Sequence, residues 1–209
     1  QNGVPSGFQN SVIALANVFV QSNINAFGKM AMAGCGSYSK IEGFVFLPVT
    51  CFNMALTTFV SQNLGAKQYD RAKKGAWFGI LCSMSIAELI GFAIYAVSPV
   101  LIAAFNSDPE VVHYGVMQAK TISLFYCVLA FSHCIAAVLR GSGNASVPMV
   151  VMLCVWFRVS YITVAVHFIP DIRMVFWAYP LTWSISSVIF LYLFLRGKWI
   201  YGFEKNAKT

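Results

Sequence analysis

Apolar residues run through this chain in long blocks, and short clusters of glycine, proline, amide and charged residues separate them. A helix that crosses a bilayer needs roughly 20 mostly apolar residues, because each residue rises about 1.5 Å through about 30 Å of hydrocarbon. Six blocks reach that length, at 8–27, 44–63, 76–97, 111–138, 148–168 and 175–195. The first is diluted by Asn10, Asn17, Gln21, Asn23 and Asn25. The breaks carry helix punctuation. Ser107-Asp108-Pro109-Glu110 reads as a capping box with Pro109 in the first turn. Gly141-Ser142-Gly143-Asn144 ends the fourth block, Pro148 opens the fifth, and Pro170-Asp171 breaks the chain before the sixth. The pattern predicts an all-α polytopic membrane protein, a bundle of six transmembrane helices spanning 1–209 with a tail at 196–209. The opening Gly3-Val4-Pro5 reads as a turn inside a loop, so sequence upstream of Gln1 is expected.

Composition agrees. Only 10% of the 209 residues are charged and 58% are hydrophobic, against roughly 25% charged in a soluble domain. That is too little charge to cover a wetted surface, whereas lipid requires none. A net charge of +7 would suggest a nucleic-acid partner in a soluble protein. Here the basic residues sit between and after the apolar blocks, so the expected partner is the lipid bilayer and no nucleic acid. Lys67, Arg71, Lys73 and Lys74 follow the second block, Arg140 ends the fourth, and Arg196, Lys198, Lys205 and Lys208 follow the sixth. These connections alternate onto one side, which the positive-inside rule assigns to the cytoplasm. Lys29, Lys40 and Arg173 are expected in the opposite loops. An even number of spans then puts both termini in the cytoplasm of a cell-membrane protein. Such a unit can be repeated in tandem without inversion. The six cysteines, Cys35, Cys51, Cys82, Cys127, Cys134 and Cys154, lack close pairs and read as small buried hydrophobes.

Polar residues inside the blocks are the candidates for chemistry. Asn10, Asn17, Gln21 and Asn25 recur at spacings of seven, four and four, on one helix face. Thr50, Asn53 and Thr57 share a face of the second span, just after Pro48, whose missing N–H favours a kink. Amides are costly against lipid and turn toward protein or water. Asn17, Gln21, Asn25, Asn53 and Thr57 are therefore candidates for lining a substrate cavity. The alternatives are interhelical hydrogen bonds for the amides and hydroxyls bonded to their own helix for the threonines. Glu88, Lys120 and Arg158 fall inside spans, with Glu88 the one acid placed at depth. Such residues mark ion or substrate paths, so ion coupling at Glu88 or its pairing with Lys120 or Arg158 is expected. The alternative is a structural pair, or a residue near a helix end reaching for water. His113, His133 and His167 form no metal pattern. Arg140-Gly141-Ser142-Gly143-Asn144 follows no strand and is not a phosphate loop. No nucleophile–base pair or paired carboxylates occur, so neither an enzyme nor a resident cofactor is expected.

Several strings resemble a known family when taken in order: Pro5-Ser6-Gly7-Phe8-Gln9, Asn23-Ile24-Asn25-Ala26-Phe27-Gly28, Thr57 to Ala66 with Gln62-Asn63-Leu64-Gly65-Ala66, Tyr69-Asp70-Arg71-Ala72-Lys73, and Val138-Leu139-Arg140-Gly141-Ser142-Gly143-Asn144 with Pro148-Met149. Together they are similar to the multidrug and toxic compound extrusion (MATE) exporters, which have two six-helix lobes around a central cavity. The chain resembles the second, C-terminal lobe. The resemblance implies antiport coupled to Na+ or H+ that exports small organic, often cationic, compounds by alternating access. It also implies a partner, an N-terminal lobe or a second copy. It makes the Gln-Asn-Leu-Gly-Ala exit, with its glycine, conformational hardware. Some members carry an acid in the first helix of this lobe for cation binding. Here that helix has amides alone, so those site assignments do not transfer. Two other readings stay open. A flippase for lipid-linked precursors would gather several cations in one cavity, with Lys120 and Arg158 as candidates. A non-transporting scaffold would bury its polar faces in helix contacts.

Overall fold

The structure, a computed structural model, describes residues 3–144, 148 and 154–201. The described residues form α1 (Gly3–Ala26), α2 (Lys29–Gly65), α3 (Tyr69–Ala103), α4 (Pro109–Ile122), a 3-10 turn (Ser123–Phe125), α5 (Tyr126–Gly141), α6 (Cys154–Phe168), α7 (Ile172–Leu195) and a closing 3-10 turn (Lys198–Tyr201). No strand occurs among them. The chain opening at Gly3-Val4-Pro5 is the first turn of α1 rather than a loop, a place where a proline lacks no intrahelical partner.

The larger departure lies between the first two spans. A connecting segment at 28–43 was expected from its glycines and charges, yet only Phe27 and Gly28 separate α1 from α2. The cause is an apolar stripe. Ala31, Cys35, Tyr38, Ile41, Val45 and Val49 recur every three or four residues and are all buried, the pattern of a helix face against a core. Lys29 is therefore the first residue of α2, and Lys40 lies within it, its Nζ 5.2 Å above the Phe105 ring. At 37 residues α2 is about 55 Å long, nearly twice the hydrocarbon thickness. Gly34 explains the tight crossing with α4, since a Cβ there would lie 2.5 Å from the Val111 carbonyl oxygen.

The fourth block is two helices, α4 and α5, joined through the 3-10 turn into one 33-residue rod. Its N-cap is Asp108 rather than Ser107. The carboxylate accepts the Glu110 N–H at 2.9 Å, and Pro109 begins the helix. Asp171 caps α7 in the same way through the Arg173 N–H at 2.9 Å. The fifth block, expected at 148–168, is described as α6 from Cys154 on, and residues 149–153 lie outside the described residues. The tail starts packed: Trp199 is buried, stacks on Phe194 with centroids 5.3 Å apart and donates Nε1–H to the Phe194 carbonyl at 3.1 Å. Residues 202–209, with Lys205 and Lys208, lie outside the described residues.

Helix α2 is the hub, packed on α3, α4 and α5, while α7 packs on α4, α5 and α6, and α1 leans on α6 and α2. Leu56, Val60, Ile80, Ile135 and Phe190 anchor one apolar cluster, Tyr38, Val45, Ile122 and Tyr126 a second, and Val20, Ile24, Ile162 and Phe176 a third. The outer faces are apolar as well, with Phe44, Phe78, Val100 and Val188 among the exposed side chains. Among the described residues four rods are long and apolar enough to cross a membrane: α2, α3, α4–α5 and α7. Helix α1 is long enough but diluted by its amides, and α6 is described over 15 residues.

Two helices end in the same hydrogen-bonded turn with different residues at its left-handed position. After α5, the Asn144 N–H bonds the Leu139 carbonyl and the Gly143 N–H that of Arg140, with Gly143 at φ 81°. After α2, Gln68 bonds Asn63 and Lys67 bonds Leu64, but the left-handed residue is Lys67 at φ 58°. Gly65 of the Gln-Asn-Leu-Gly-Ala exit is the last residue of α2, and the left-handed position falls two residues later, at Lys67. An L-residue in this conformation costs about 1 kcal/mol, which glycine avoids. Lys67→Gly is expected to raise thermal stability in detergent by about that amount, and Gly34→Leu to lower it by about 1–3 kcal/mol through overpacking. Thermal unfolding of the purified variants checks both.

Candidate substrate cavity

A cavity of about 340 Å³ with a mixed polar and apolar lining lies where α1, α2, α5, α6 and α7 converge. Helix α2 contributes Ser39, Glu42 and Phe46, spaced by three and four residues on the face beside its buried stripe. Helix α7 contributes Tyr179, Thr182, Trp183 and Ser186, a stripe of the same periodicity. Ser132 and His133 face the cavity from α5, Asn17 and Gln21 from α1, and Arg158 from α6.

The wall has a definite polarity. The hydroxyls of Ser39, Ser132, Thr182 and Ser186 each donate to a carbonyl of their own helix, at 2.7–3.0 Å. Their protons are thereby occupied, and their oxygens remain as acceptors. Arg158 is 6% exposed. Its Nη2 donates to Asn17 Oδ1 at 3.1 Å, and its guanidinium carbon lies 4.8 Å from the Tyr179 ring centroid. Glu42 and Arg158 interact electrostatically within the site. Among the described residues no ion pair within 4.0 Å closes between them. Behind the cavity, the buried hydroxyls of Tyr38 on α2 and Tyr126 on α5 hydrogen-bond to each other, and Tyr126 backs Trp183 at 6.4 Å. A lobe that turns one carboxylate, one guanidinium and a ring of hydroxyl acceptors inward, and apolar side chains outward, has the make-up of a small-molecule site within a membrane bundle.

Comparison with known proteins agrees. The MatE family model matches residues 5–165. The chain belongs to the MatE family. MatE proteins are transporters and not enzymes, and the chain is accordingly part of a multi-pass membrane protein. It is 26% identical over 212 residues to the probable multidrug resistance protein NorM of Thermotoga maritima, covering 98% of this chain and 44% of that protein. It is 22% identical over 193 residues to an FAD transporter of Shewanella oneidensis, covering 92% and 43%. A solved MOP superfamily transporter from Pyrococcus furiosus superposes with a TM-score of 0.85 at 16% identity, covering 90% of this chain and 42% of that one. The chain thus spans a little under half the length of the relatives it matches.

Within this MatE lobe the residues expected from the sequence divide among several places. Asn17 and Gln21 reach the cavity, and Gln21 Nε2 donates to Asn25 Oδ1 at 3.0 Å, at the exposed side of α1. Asn10 lies outside the described side chains. Asn53 and Thr57 line a separate hollow of about 300 Å³ with Arg140. The Thr57 hydroxyl donates to the Asn53 and Ala137 carbonyls at 2.8 and 3.2 Å, the helix-bonding alternative. The trio Glu88, Lys120 and Arg158 is not assembled. Glu88 accepts the Cys127 N–H at 3.0 Å and so caps the first turn of α5. Lys120 is exposed, 5.7 Å over the Tyr95 ring, and lines an outer groove with His113 and Arg173.

Sequence reasoning missed Glu42, His133 and the α7 stripe. Glu42 lay in the stretch taken for a loop, where the Tyr38–Ile41–Val45 periodicity was the available signal. His133 was weighed for a metal pattern alone, and its cavity neighbours come from other helices. The Tyr38–Tyr126 bond offers a direct check on the scaffold. Tyr38→Phe is expected to cost about 1–3 kcal/mol by stranding a buried hydroxyl, and Tyr38→Phe/Tyr126→Phe to recover part of that loss. Thermal unfolding of the two variants measures the difference.

Proposed function

We propose that the chain is the C-terminal lobe of a cation-coupled antiporter of the cell membrane, driven by Na+ or H+, that exports small organic, often cationic, compounds. Both termini of the lobe lie in the cytoplasm in this reading. It works with a further lobe, either an N-terminal segment of the same polypeptide or a second copy, and alternating access comes from rocking of the two lobes. The observation that carries the proposal is Glu42, a carboxylate in a cavity of a lipid-embedded bundle, with no hydrogen bond or ion pair closed on it among the described residues. A carboxylate so placed can exchange a coupling cation for the positive charge of a cargo. Such an exchange is one way to couple antiport: the two charges compete for one acid, and each binding event biases the conformational equilibrium.

Two features favour this reading over its rivals. A flippase site would gather several cations, but among the described residues Arg158 is the one Lys or Arg side chain lining the cavity, with Lys120 on another surface. A scaffold would leave no cavity, and a cavity of about 340 Å³ lined by Glu42, Arg158 and several hydroxyls lies within this lobe.

Transport by the full-length protein in vesicles tests the proposal. Glu42→Gln is expected to reduce ion-gradient-driven efflux to the level of empty vesicles while the protein stays folded and inserted. Glu88→Gln is expected to keep ion coupling and lose about 1.5–3 kcal/mol of stability, the worth of a charged hydrogen bond. Wild-type coupling in Glu42→Gln would overturn the assignment.

A further inference from the structure

Arg158 is the cavity group for which coupling through Glu42 has no use. A guanidinium taken out of water needs hydrogen bonds and a counter-charge to offset its desolvation. This one is 6% exposed and makes one hydrogen bond, to the neutral Asn17 amide oxygen at 3.1 Å. Its Nε is buried without a hydrogen-bond partner, and Glu42, with which it interacts electrostatically, closes no ion pair within 4.0 Å of it among the described residues. Tyr179 supports one face of the guanidinium plane at 4.8 Å. The side chain is thus held in place with donors still unused, beside a cavity of about 340 Å³. A planar fork of N–H donors pairs best with a carboxylate or phosphate, often through two parallel hydrogen bonds. Besides Arg158 the wall carries the neutral amides of Asn17 and Gln21, the His133 ring, and groups of opposite character. The hydroxyls point acceptors inward and Glu42 is an acid, so an anion entering here finds Arg158 as its one cationic anchor among the described Lys and Arg residues.

We propose that the cavity prefers organic compounds bearing a carboxylate or phosphate, held by Arg158, with Asn17 and Tyr179 as positioning residues. A zwitterion fits best, its cationic end toward Glu42 and its apolar body against Phe46 and Trp183, which line the same cavity. The inference rests on the reading of this cavity as the substrate site, and it narrows that reading, since a purely cationic compound leaves Arg158 unmatched.

The test is fluorescence titration of the full-length protein in phosphatidylcholine nanodiscs with Nε-dansyl-lysine and with its methyl ester. In a buffer acidic enough to keep the ester's α-amino group protonated, both carry the same aromatic body and ammonium group, and they differ in the carboxylate. The acid is expected to bind at least about tenfold tighter than the ester. Arg158→Met is expected to remove that preference by weakening the acid alone, and Arg158→Lys to restore part of it. Equal wild-type affinities for the two probes would overturn the inference and leave the cavity reading standing. If neither probe binds, the cavity reading fails and takes the inference with it. A preference that vanishes when phosphatidylglycerol replaces part of the lipid assigns the oxyanion to a lipid phosphate and overturns the cargo assignment, whereas one that survives supports it. The wild-type comparison decides the matter even if Arg158→Met proves unstable.

Discussion

Charge must be kept off hydrocarbon, and the arrangement of this lobe follows from that constraint. Its outer surface is given to side chains such as Phe44, Phe78 and Val188, which lose nothing in lipid. Each polar group inside must then find a protein partner or a wet space. Most find partners. The Ser39, Ser132, Thr182 and Ser186 hydroxyls bond their own helices, Glu88 caps α5, and Tyr38 and Tyr126 satisfy each other, while Asn53, Ser83, Gln118 and Ser123 each keep a buried oxygen without a hydrogen-bond partner. Glu42 and Arg158 are left facing a common cavity, so the space that solves a solvation problem is also where selective binding can occur.

The scaffold holds that space open through close helix crossings rather than through bulk. Gly34 lets α2 meet the backbone of α4, and Gly141 lets α5 approach within 2.6 Å, measured from a notional Cβ, of the Thr57 carbonyl. Because α2 is so long and central, a shift in its tilt moves Ser39, Glu42 and Phe46 together. In the proposed alternating-access cycle such a shift would be felt at the acid directly. The two Schellman ends, at Lys67 and Gly143, stop α2 and α5 sharply before the next segments begin.

The helical class and the rough positions of the spans were legible because long apolar blocks need no tertiary information to read. The extent of α2 was also written in its Tyr38–Ile41–Val45 stripe, but glycines at 34, 36 and 43 and the charges at Lys40 and Glu42 masked it. Those glycines and charges are what a helix needs where it crosses a neighbour and borders a wet cavity. The amide face of α1 was legible through its spacing of seven and four. Its division from Asn53 and Thr57 was not, since which faces of two helices meet depends on their rotation, and local periodicity does not report that. Nor could spacing reveal that Glu88 meets Cys127 or that Arg158 meets Asn17, residues 39 and 141 positions apart.

In the proposed function the inward face of this lobe is a wet, cargo-accessible cavity. That accessibility is tested most directly by cysteine labelling in full-length protein whose native cysteines have been replaced. Ser186 lines the cavity, and Val188, two residues on, is 69% exposed on the outer face of the same helix. Ser186→Cys is predicted to react with a water-soluble maleimide and to be protected by a transported compound. Val188→Cys, facing lipid, is predicted to react slowly and without protection. Equal reactivity at the two positions, or no protection at Ser186→Cys by a compound the protein demonstrably transports, would contradict the account.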